Sequence, residues 1–337
     1  MATRLPVAAD KYYPADPSAL RAQLDACLAR PAPPVAGPHL QPAPGTRRQS
    51  LRGLIVPHGS LQDSGMVAAA AYSLLAAGLS SLQSVPHQAP GASPSSSSPS
   101  PAADSLGPHT PVLILGTNHF TALPPACLSS AAAWRTPLGA APLEPELCRQ
   151  LAAAGLPLDD APHNLEHSIE NQLPFLQHVL GSPGPSPGAR PFAIAPVCVG
   201  WLGSEAAAGR LARQLAAAVA RYEQRRQRQV LLIATSDFTH GGPSYGEAPA
   251  APWMSLREHC VWRDSPLLHA ICGGSPRGFL QACDLVGASL CGRWPVAVFM
   301  QVAQDLGWSL ELLAYAPSDL YVSTGDINGF AAFSAWE

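Results

Sequence analysis

Histidine follows three separate predicted strands of the chain. Each imidazole comes at or just past the end of a short apolar run: His58 after 51–56, His119 after 112–115 and His240 after 230–234. The carboxyl ends of strands in an open α/β sheet form the edge at which ligand crevices develop. Imidazole is both a common metal ligand and the usual acid/base group near neutral pH. The pattern therefore predicts one site for metal binding or proton transfer, which the fold assembles from distant parts of the chain.

An aspartate stands three residues before the third of these histidines. Asp237 and His240 are close enough in sequence to face one pocket, where they could shuttle a proton or orient a ligand. The alternative is structural: an aspartate that caps a helix and a histidine in solvent. The residues alone leave both interpretations open.

One of the eight cysteines has a distinctive context. Cys291 lies in a Gly/Pro-containing turn, 290–295, directly before a predicted helix and two residues before Arg293. A helix N-terminus and a neighbouring cation lower the pKa of a thiol and favour thiolate, whereas the alternative is a buried, inert cysteine. We expect the other seven cysteines to be inert. Because no C-x-x-C pair occurs, we also expect free thiols and a reducing, cytoplasmic compartment.

The densest polar stretch of the chain runs from Glu166 to Pro174. Ser168 is predicted to cap a helix that continues to about residue 180, and the polar side chains around it crowd the start of that helix. Acidic residues there partly serve the helix dipole, which is the simplest explanation for them. Pro174 lies too deep for a relaxed first turn, so we expect other contacts to fix this helix start.

Apolar runs of strand length alternate with helical patterns along the chain. Asp16 followed by Pro17 predicts a helix start, and the predicted strands are 51–56, 112–115, 192–199, 230–234, 310–315 and 329–334. This alternation predicts an α/β fold with a central, mostly buried sheet flanked by helices. We expect a single domain over 1–337, with Pro/Ser/Gly-rich loops inserted at 31–46, 84–111 and 181–191.

Composition excludes several classes of function. A net charge of −3 argues against a basic nucleic-acid-binding surface. No apolar run approaches the roughly 18 residues that a membrane span requires. The first residues lack the apolar core of a secretory signal, which argues against secretion. From the charge and the apolar runs we expect neither a nucleic-acid partner nor a membrane span.

In order along almost the whole chain, the motifs resemble those of the Memo family, which includes the prokaryotic AmmeMemoRadiSam system protein B. The string Glu-His-Ser-Ile-Glu-Asn-Gln-Leu-Pro at 166–174 is the most specific of them. The matching segments are 6–16, 56–58, 116–119, 134–139, 166–176, 235–240 and 291–293.

The resemblance implies a fold and a set of site residues. Memo-like proteins are similar in fold to class III extradiol dioxygenases, which hold iron with two histidines and a carboxylate. By position, His58 and His119 match the two histidine ligands, and Cys291 replaces the carboxylate. Asp237 and His240 match the neighbouring pair, with His240 in the place of the acid/base histidine. The implied cofactor is copper or iron, with zinc possible, because thiolate and imidazole ligands suit these metals.

One departure from the family pattern follows the first histidine. The family usually has Ala-Gly-Tyr-x-Tyr-Ser-Gly there, whereas this chain has Gly-Ser-Leu-Gln-Asp-Ser-Gly at 59–65. Two aromatic pocket walls and a phenolic donor are lost.

The residues and the resemblance leave three functions open. The first is a metal-binding protein with a two-His, one-Cys site and copper- or iron-dependent redox activity. The second is a non-heme iron dioxygenase acting on a catechol-like substrate, for which His240 would be the acid/base. The third is a non-catalytic adaptor whose crevice binds a small molecule, a peptide or a phosphopeptide.

Overall fold

A computed structural model describes residues 2–32, 50–83, 110–121, 124–181, 192–320 and 325–337. Most of each predicted Pro/Ser/Gly-rich loop, at 31–46, 84–111 and 181–191, lies outside these residues. Residues 110 and 111 are an exception, because they begin a strand. Among the described residues, no helix combines the length and apolar character that crossing a bilayer requires.

Eleven strands are described, and they form two sheets. The large sheet has the order β10–β11–β2–β8–β3–β7–β4, with β9 paired to β11, and the small sheet has the order β1–β5–β6. The strands are β1 Thr3–Arg4, β2 Leu51–Val56, β3 Thr110–Thr117, β4 Ala126–Leu128, β5 Ala133–Thr136, β6 Gly139–Pro142, β7 Phe192–Val199, β8 Leu231–Thr235, β9 His240–Gly241, β10 Ser309–Pro317 and β11 Ile327–Trp336.

Eight α-helices are described. They are α1 Pro17–Ala29, α2 Leu61–Gln83, α3 Pro145–Ala153, α4 Leu173–Leu180, α5 Glu205–Arg226, α6 Leu256–Cys272, α7 Pro276–Val286 and α8 Arg293–Leu306. The Asp16 side chain caps α1 as predicted, accepting from the N–H of Ala19. The start of α6 was not predicted, although Ser255 and Glu258 form a reciprocal capping box there.

The large sheet separates two apolar layers because successive side chains of a strand point to opposite faces. In β3, Leu113 contributes to one cluster and Ile114 to the other. Helices α3, α5, α7 and α8 cover one face, and α1, α2 and α4 cover the other. The predicted α/β fold with a central buried sheet is therefore confirmed.

Three parallel strands at the centre of the sheet position the site. β2, β8 and β3 are neighbours and run in the same direction. Their carboxyl ends therefore meet at one edge; His58 and His119 lie in the turns that follow β2 and β3, and His240 follows β8 as the first residue of β9.

Candidate metal centre

His58 follows β2 and is almost completely buried, with 1% of its surface exposed. Its ring Nδ1 lies 3.0 Å from the Thr235 hydroxyl at the end of β8. Its Nε2 lies 3.1 Å from the sulfur of Cys291. Burial, and then the neighbouring His119, lower the pKa of His58 well below its usual value. The ring is thus neutral near pH 7, as a metal ligand must be, and its Nε2 faces a thiol.

His119 is oriented by a buried carboxylate. Its Nδ1 lies 3.0 Å from both oxygens of Glu166, and its backbone N–H donates to the same carboxylate at 2.9 Å. Burial alone would raise the pKa of Glu166, but hydrogen bonds from His119 and from the Ser168 N–H lower it to about 2. Glu166 is therefore ionised, and the Nδ1 of His119 carries a proton that it donates to this carboxylate. The Nε2 of His119 is left as the ligand atom, an arrangement typical of metal-binding histidines.

The sequence analysis missed this role of Glu166, which it assigned to a helix dipole. The carboxylate also accepts from the N–H groups of His167 and Ser168, at 2.9 and 2.7 Å. The expected Ser168 cap was wrong, because its hydroxyl donates to the carbonyl of Thr117 at 3.1 Å. The α-helix begins later, at Leu173, after a 3-10 turn over Glu170–Gln172. That late start resolves the position of Pro174, which lies in the first turn of α4.

The rest of this polar stretch ties the ligand-bearing turns together. The Asn171 amide donates to the carbonyl of His58 at 2.6 Å, and the Gln172 amide donates to that of Pro57 at 3.2 Å. Gly116 in β3 permits the close approach, because a Cβ there would lie 2.2 Å from Cγ1 of Ile169. The polar side chains of 166–172 are thus scaffold contacts of the site.

Glu170 fastens the N-terminal segment beside the site. Its buried carboxylate accepts from the backbone N–H groups of Val7 and Ala8 and pairs with the guanidinium of Arg4 and the hydroxyl of Tyr13. These contacts hold residues 4–13 against the 3-10 turn that precedes α4. They fix the chain on both sides of Tyr12.

His167 is a further imidazole that the sequence analysis did not single out as a site residue. Its ring is stacked between Tyr12, with centroids 4.2 Å apart, and His119, at 4.9 Å. Burial, followed by the influence of His58, lowers the pKa of His167 to about 4, so the ring is neutral near pH 7. Tyr12 thereby supplies an aromatic wall beside the histidines, although the tyrosines expected after His58 are missing.

Cys291 lies between the carbonyl of Asp237 and the start of α8. Its backbone N–H donates to that carbonyl at 3.3 Å, and its side chain is partly exposed. The expected lowering of its pKa was wrong. Burial, and then the Asp237 charge, raise the pKa of the thiol. Arg293 does not offset this effect, because its guanidinium pairs with Asp284 at 2.7 Å.

Asp237 and His240 have defined partners in the structure. Asp237 accepts from the N–H groups of His58 and Gly59, at 2.8 and 3.1 Å, and therefore fixes the turn after β2. Burial raises the pKa of Asp237, and the nearby His240 opposes that rise. His240 lies 2.9 Å, through Nδ1, from the carbonyl of Ser289. A carbonyl only accepts, so Nδ1 of His240 carries a proton, and in the neutral form of the ring the free lone pair is on Nε2.

Two groups of potential metal ligands share His58. Among the described residues, ligand atoms lie within 4.8 Å of one another in the group His58, His119 and His167, and also in the group His58, Asp237 and Cys291. The predicted triad therefore draws on both groups, and His58 is the residue that joins them. Asp237 and His167 are further donors at the same crevice.

Residues 85–332 match the model of a family described as Memo-like protein. The chain is 29% identical over 329 residues to a MEMO1 family protein of Methanopyrus kandleri, covering 97% of this chain and 94% of that protein. It is 28% identical over 329 residues to one from Methanosarcina acetivorans, with 98% and 95% covered. A third, from Methanosarcina barkeri, is 27% identical over 333 residues, with 98% of both chains covered.

Proposed function

Because the chain belongs to the Memo-like protein family, we propose that it binds a redox-active metal ion, copper or iron, through His58, His119 and Cys291. The observation that carries this proposal is the 3.1 Å contact between Nε2 of His58 and the sulfur of Cys291. Two different ligand types face each other there without a side chain between them. Both proposed histidine ligands have their Nδ1 atoms occupied by other partners, which leaves the Nε2 atoms for an ion.

The donor set fits a soft or borderline metal. A thiolate favours Cu(I) or zinc over hard cations, and imidazole suits copper, iron and zinc alike. The carboxylate of Glu166 behind His119 would raise the basicity of that ligand and hold its tautomer. When bound, copper or iron would supply one-electron redox chemistry.

Free thiols support a location in which the metal ligand stays reduced. All eight cysteines of the chain are free in the structure. Structural disulfides are rare where glutathione and thioredoxin keep thiols reduced. We therefore propose a cytoplasmic protein.

The first test is metal analysis of protein purified without a metal-affinity tag. We expect about one equivalent of copper or iron, and a much weaker affinity for Cu(I) in Cys291→Ser. Cys148→Ser is the matched control, because that thiol is also partly buried but packs between apolar layers. Absence of measurable metal binding by the wild type, under reducing conditions and with either ion, would overturn the proposal.

A second candidate function is ring-opening dioxygenation, and the tautomer of His240 favours it. With its proton on Nδ1, held by the Ser289 carbonyl, the free Nε2 can accept a proton from a catechol-like hydroxyl. Asp237 lies near that imidazole, and the charge of His240 opposes the rise that burial causes in the pKa of Asp237. In the test, protein loaded with Fe(II) is mixed with catechol. Ring opening that His240→Ala abolishes, with iron content unchanged, would establish this activity, and no turnover would exclude it for that substrate.

A further inference from the structure

The turn that carries Cys291 packs directly against the end of β8, just before α8 begins. At Gly292, a Cβ would lie 2.4 Å from the Thr235 carbonyl oxygen and 2.4 Å from Cβ of Ser236. Glycine is the residue that permits such a close approach of two backbone segments, because it has no Cβ. The contact between this turn and the strand end therefore depends on Gly292.

The hydroxyl of Ser236 joins these two segments. Ser236 directly follows β8 and has 0% of its surface exposed. Its hydroxyl accepts from the Gly292 N–H at 2.9 Å and donates to the Asp237 carbonyl at 2.8 Å. A hydroxyl has one donor and two acceptor sites, so it can make both hydrogen bonds at once. One buried side chain therefore connects two segments that are 56 residues apart in sequence.

Hydrogen bonds fix the backbone on both sides of the Cα of Cys291. The Cys291 N–H donates to the Asp237 carbonyl at 3.3 Å, and the same oxygen accepts from the Ser236 hydroxyl. The next N–H along the chain, that of Gly292, donates to Ser236. Because peptide groups are planar, holding the N–H before and after a Cα restricts the direction of its Cα–Cβ bond. The contacts at 236 and 237 therefore determine where the Cys291 sulfur points.

The backbone of Ser236 holds the turn of the opposite ligand. Its N–H donates to the carbonyl of Val56 at 3.0 Å, and Val56 ends β2 two positions before His58. Ser236 thus contacts the segments of both residues whose ligand atoms, Nε2 of His58 and Sγ of Cys291, lie 3.1 Å apart. This one residue sets the spacing between the imidazole and the thiol.

The two histidine ligands are oriented without the Ser236 hydroxyl. Nδ1 of His58 lies 3.0 Å from the Thr235 hydroxyl. Nδ1 of His119 lies 3.0 Å from the carboxylate of Glu166. Loss of the hydroxyl alone should therefore displace the thiol and leave both imidazoles in place.

We propose that Ser236 is a positioning residue of the metal centre, whose hydroxyl holds the Cys291 sulfur where it can join the histidines as a ligand. The inference rests on the proposed function, because it concerns the ligand geometry of that site. Metal–nitrogen and metal–sulfur bonds of about 2.0–2.3 Å leave little tolerance for a displaced donor. Alanine at position 236 would leave the Gly292 N–H unpaired in a buried place, which is unfavourable, so the turn would shift towards another acceptor. The thiol would then be lost as a ligand.

The test is anaerobic titration of the metal-free protein, purified without a metal-affinity tag, with Co(II). A thiolate bound to Co(II) gives a near-ultraviolet charge-transfer absorption that imidazole and carboxylate ligands do not give. We expect this absorption in the wild type and its absence in Cys291→Ser. In Ser236→Ala the absorption per bound Co(II) should be largely lost. The Co(II) affinity of that variant should be about 10- to 100-fold weaker, the range typical for residues that support metal ligands.

Ser334→Ala is the matched control. Ser334 lies in β11 and also has 0% of its surface exposed, and its hydroxyl accepts from the indole N–H of Trp336 at 2.8 Å. Both variants lose one buried hydroxyl, so both should have a lower Tm. Only Ser236→Ala should lose the thiolate absorption, and this split separates positioning of the ligand from general stability.

Gly292→Ala disturbs the same contact from the other side. Its new Cβ meets Ser236 and Thr235 while the Ser236 hydroxyl is still present, so it should also lose the thiolate absorption. Equal absorption per bound Co(II) in the wild type, Ser236→Ala and Ser334→Ala would overturn the role of Ser236 and leave the proposed ligands intact. Wild-type protein without any thiolate absorption, whether or not Co(II) binds, would overturn both.

Discussion

Replacing Glu166 by glutamine tests the link between the scaffold and the metal centre. The carboxylate has 0% of its surface exposed and accepts hydrogen bonds from both nitrogens of His119 that face it and from two further backbone N–H groups. Glutamine keeps one acceptor oxygen, but its NH₂ group takes the place of the oxygen that accepts from the His119 N–H. Two donors then face each other in a buried site.

The size of the effect follows from the shift in the pKa of Glu166. Its folded-state pKa of about 2, against an ordinary glutamate value of 4.5, corresponds to a stabilisation on the order of 3 kcal/mol. This contribution is fully present above the unfolded-state pKa and is lost as the pH falls towards about 2. Glu166→Gln should therefore lower the free energy of unfolding by on the order of 3 kcal/mol at pH 7, and the deficit should shrink below about pH 4.

The assay is urea unfolding at pH 7 and at pH 3.5, together with metal affinity at pH 7. Loss of the carboxylate behind His119 should weaken metal binding by about 10- to 100-fold. Glu205→Gln is the matched control, since Glu205 is an exposed carboxylate in the first turn of α5 and serves only the helix dipole, worth about 0.3–1 kcal/mol. If the two variants lost the same small amount of stability and kept full metal affinity, Glu166 would act only on the helix dipole and would not orient His119.

Two further substitutions and one matched control test the scaffold. Gly116→Ala forces a Cβ to within 2.2 Å of Ile169, so we expect urea unfolding to show a loss of about 1–3 kcal/mol in the free energy of unfolding. The control is Gly209→Ala inside α5, where the new Cβ meets only the flexible end of Arg213. This control should raise the free energy of unfolding by up to about 1 kcal/mol. Burial raises the pKa of Asp264 to about 6, so ionisation of this carboxyl group lowers the free energy of unfolding of the protein as the pH rises from about 4 to 6. Asp264→Asn removes that dependence, and its unfolding free energy should therefore rise relative to wild type by on the order of 3 kcal/mol between pH 4 and pH 7; a constant difference across that range would contradict the assignment.

The sheet and the edge that carries the site could be predicted from the sequence because both depend on local patterns. Mostly apolar runs identify strands buried on both faces, and β2, β3 and β8 are buried at every position. Each is followed within a few residues by a histidine, and the carboxyl ends of adjacent parallel strands must meet. The convergence of the three histidines could therefore be predicted from the fold class alone, without knowledge of any contact.

The contacts that orient the site could not be predicted, because they join residues far apart in sequence. Glu166 and His119 are separated by 47 residues, and Ser236 and Gly292 by 56. β4 has only three residues, too few for an alternating pattern to identify. Nothing local distinguishes a glutamate that caps a helix from one that holds an imidazole.

The pKa of Cys291 shows how the site reconciles burial with metal binding. From the sequence, a nearby arginine and a helix start predicted a thiolate, but Arg293 turns away to Asp284 and burial keeps the sulfur protonated. Without an ion, the His58 and His167 rings and the Cys291 thiol are therefore neutral near pH 7, and the ionised Glu166 accepts hydrogen bonds from His119, His167 and Ser168. Burying neutral donors costs far less than burying an unpaired thiolate. A cation that displaces the thiol proton would create the thiolate only when its own charge is present to compensate it. The environment that makes Cys291 a poor nucleophile is thus compatible with its use as a ligand.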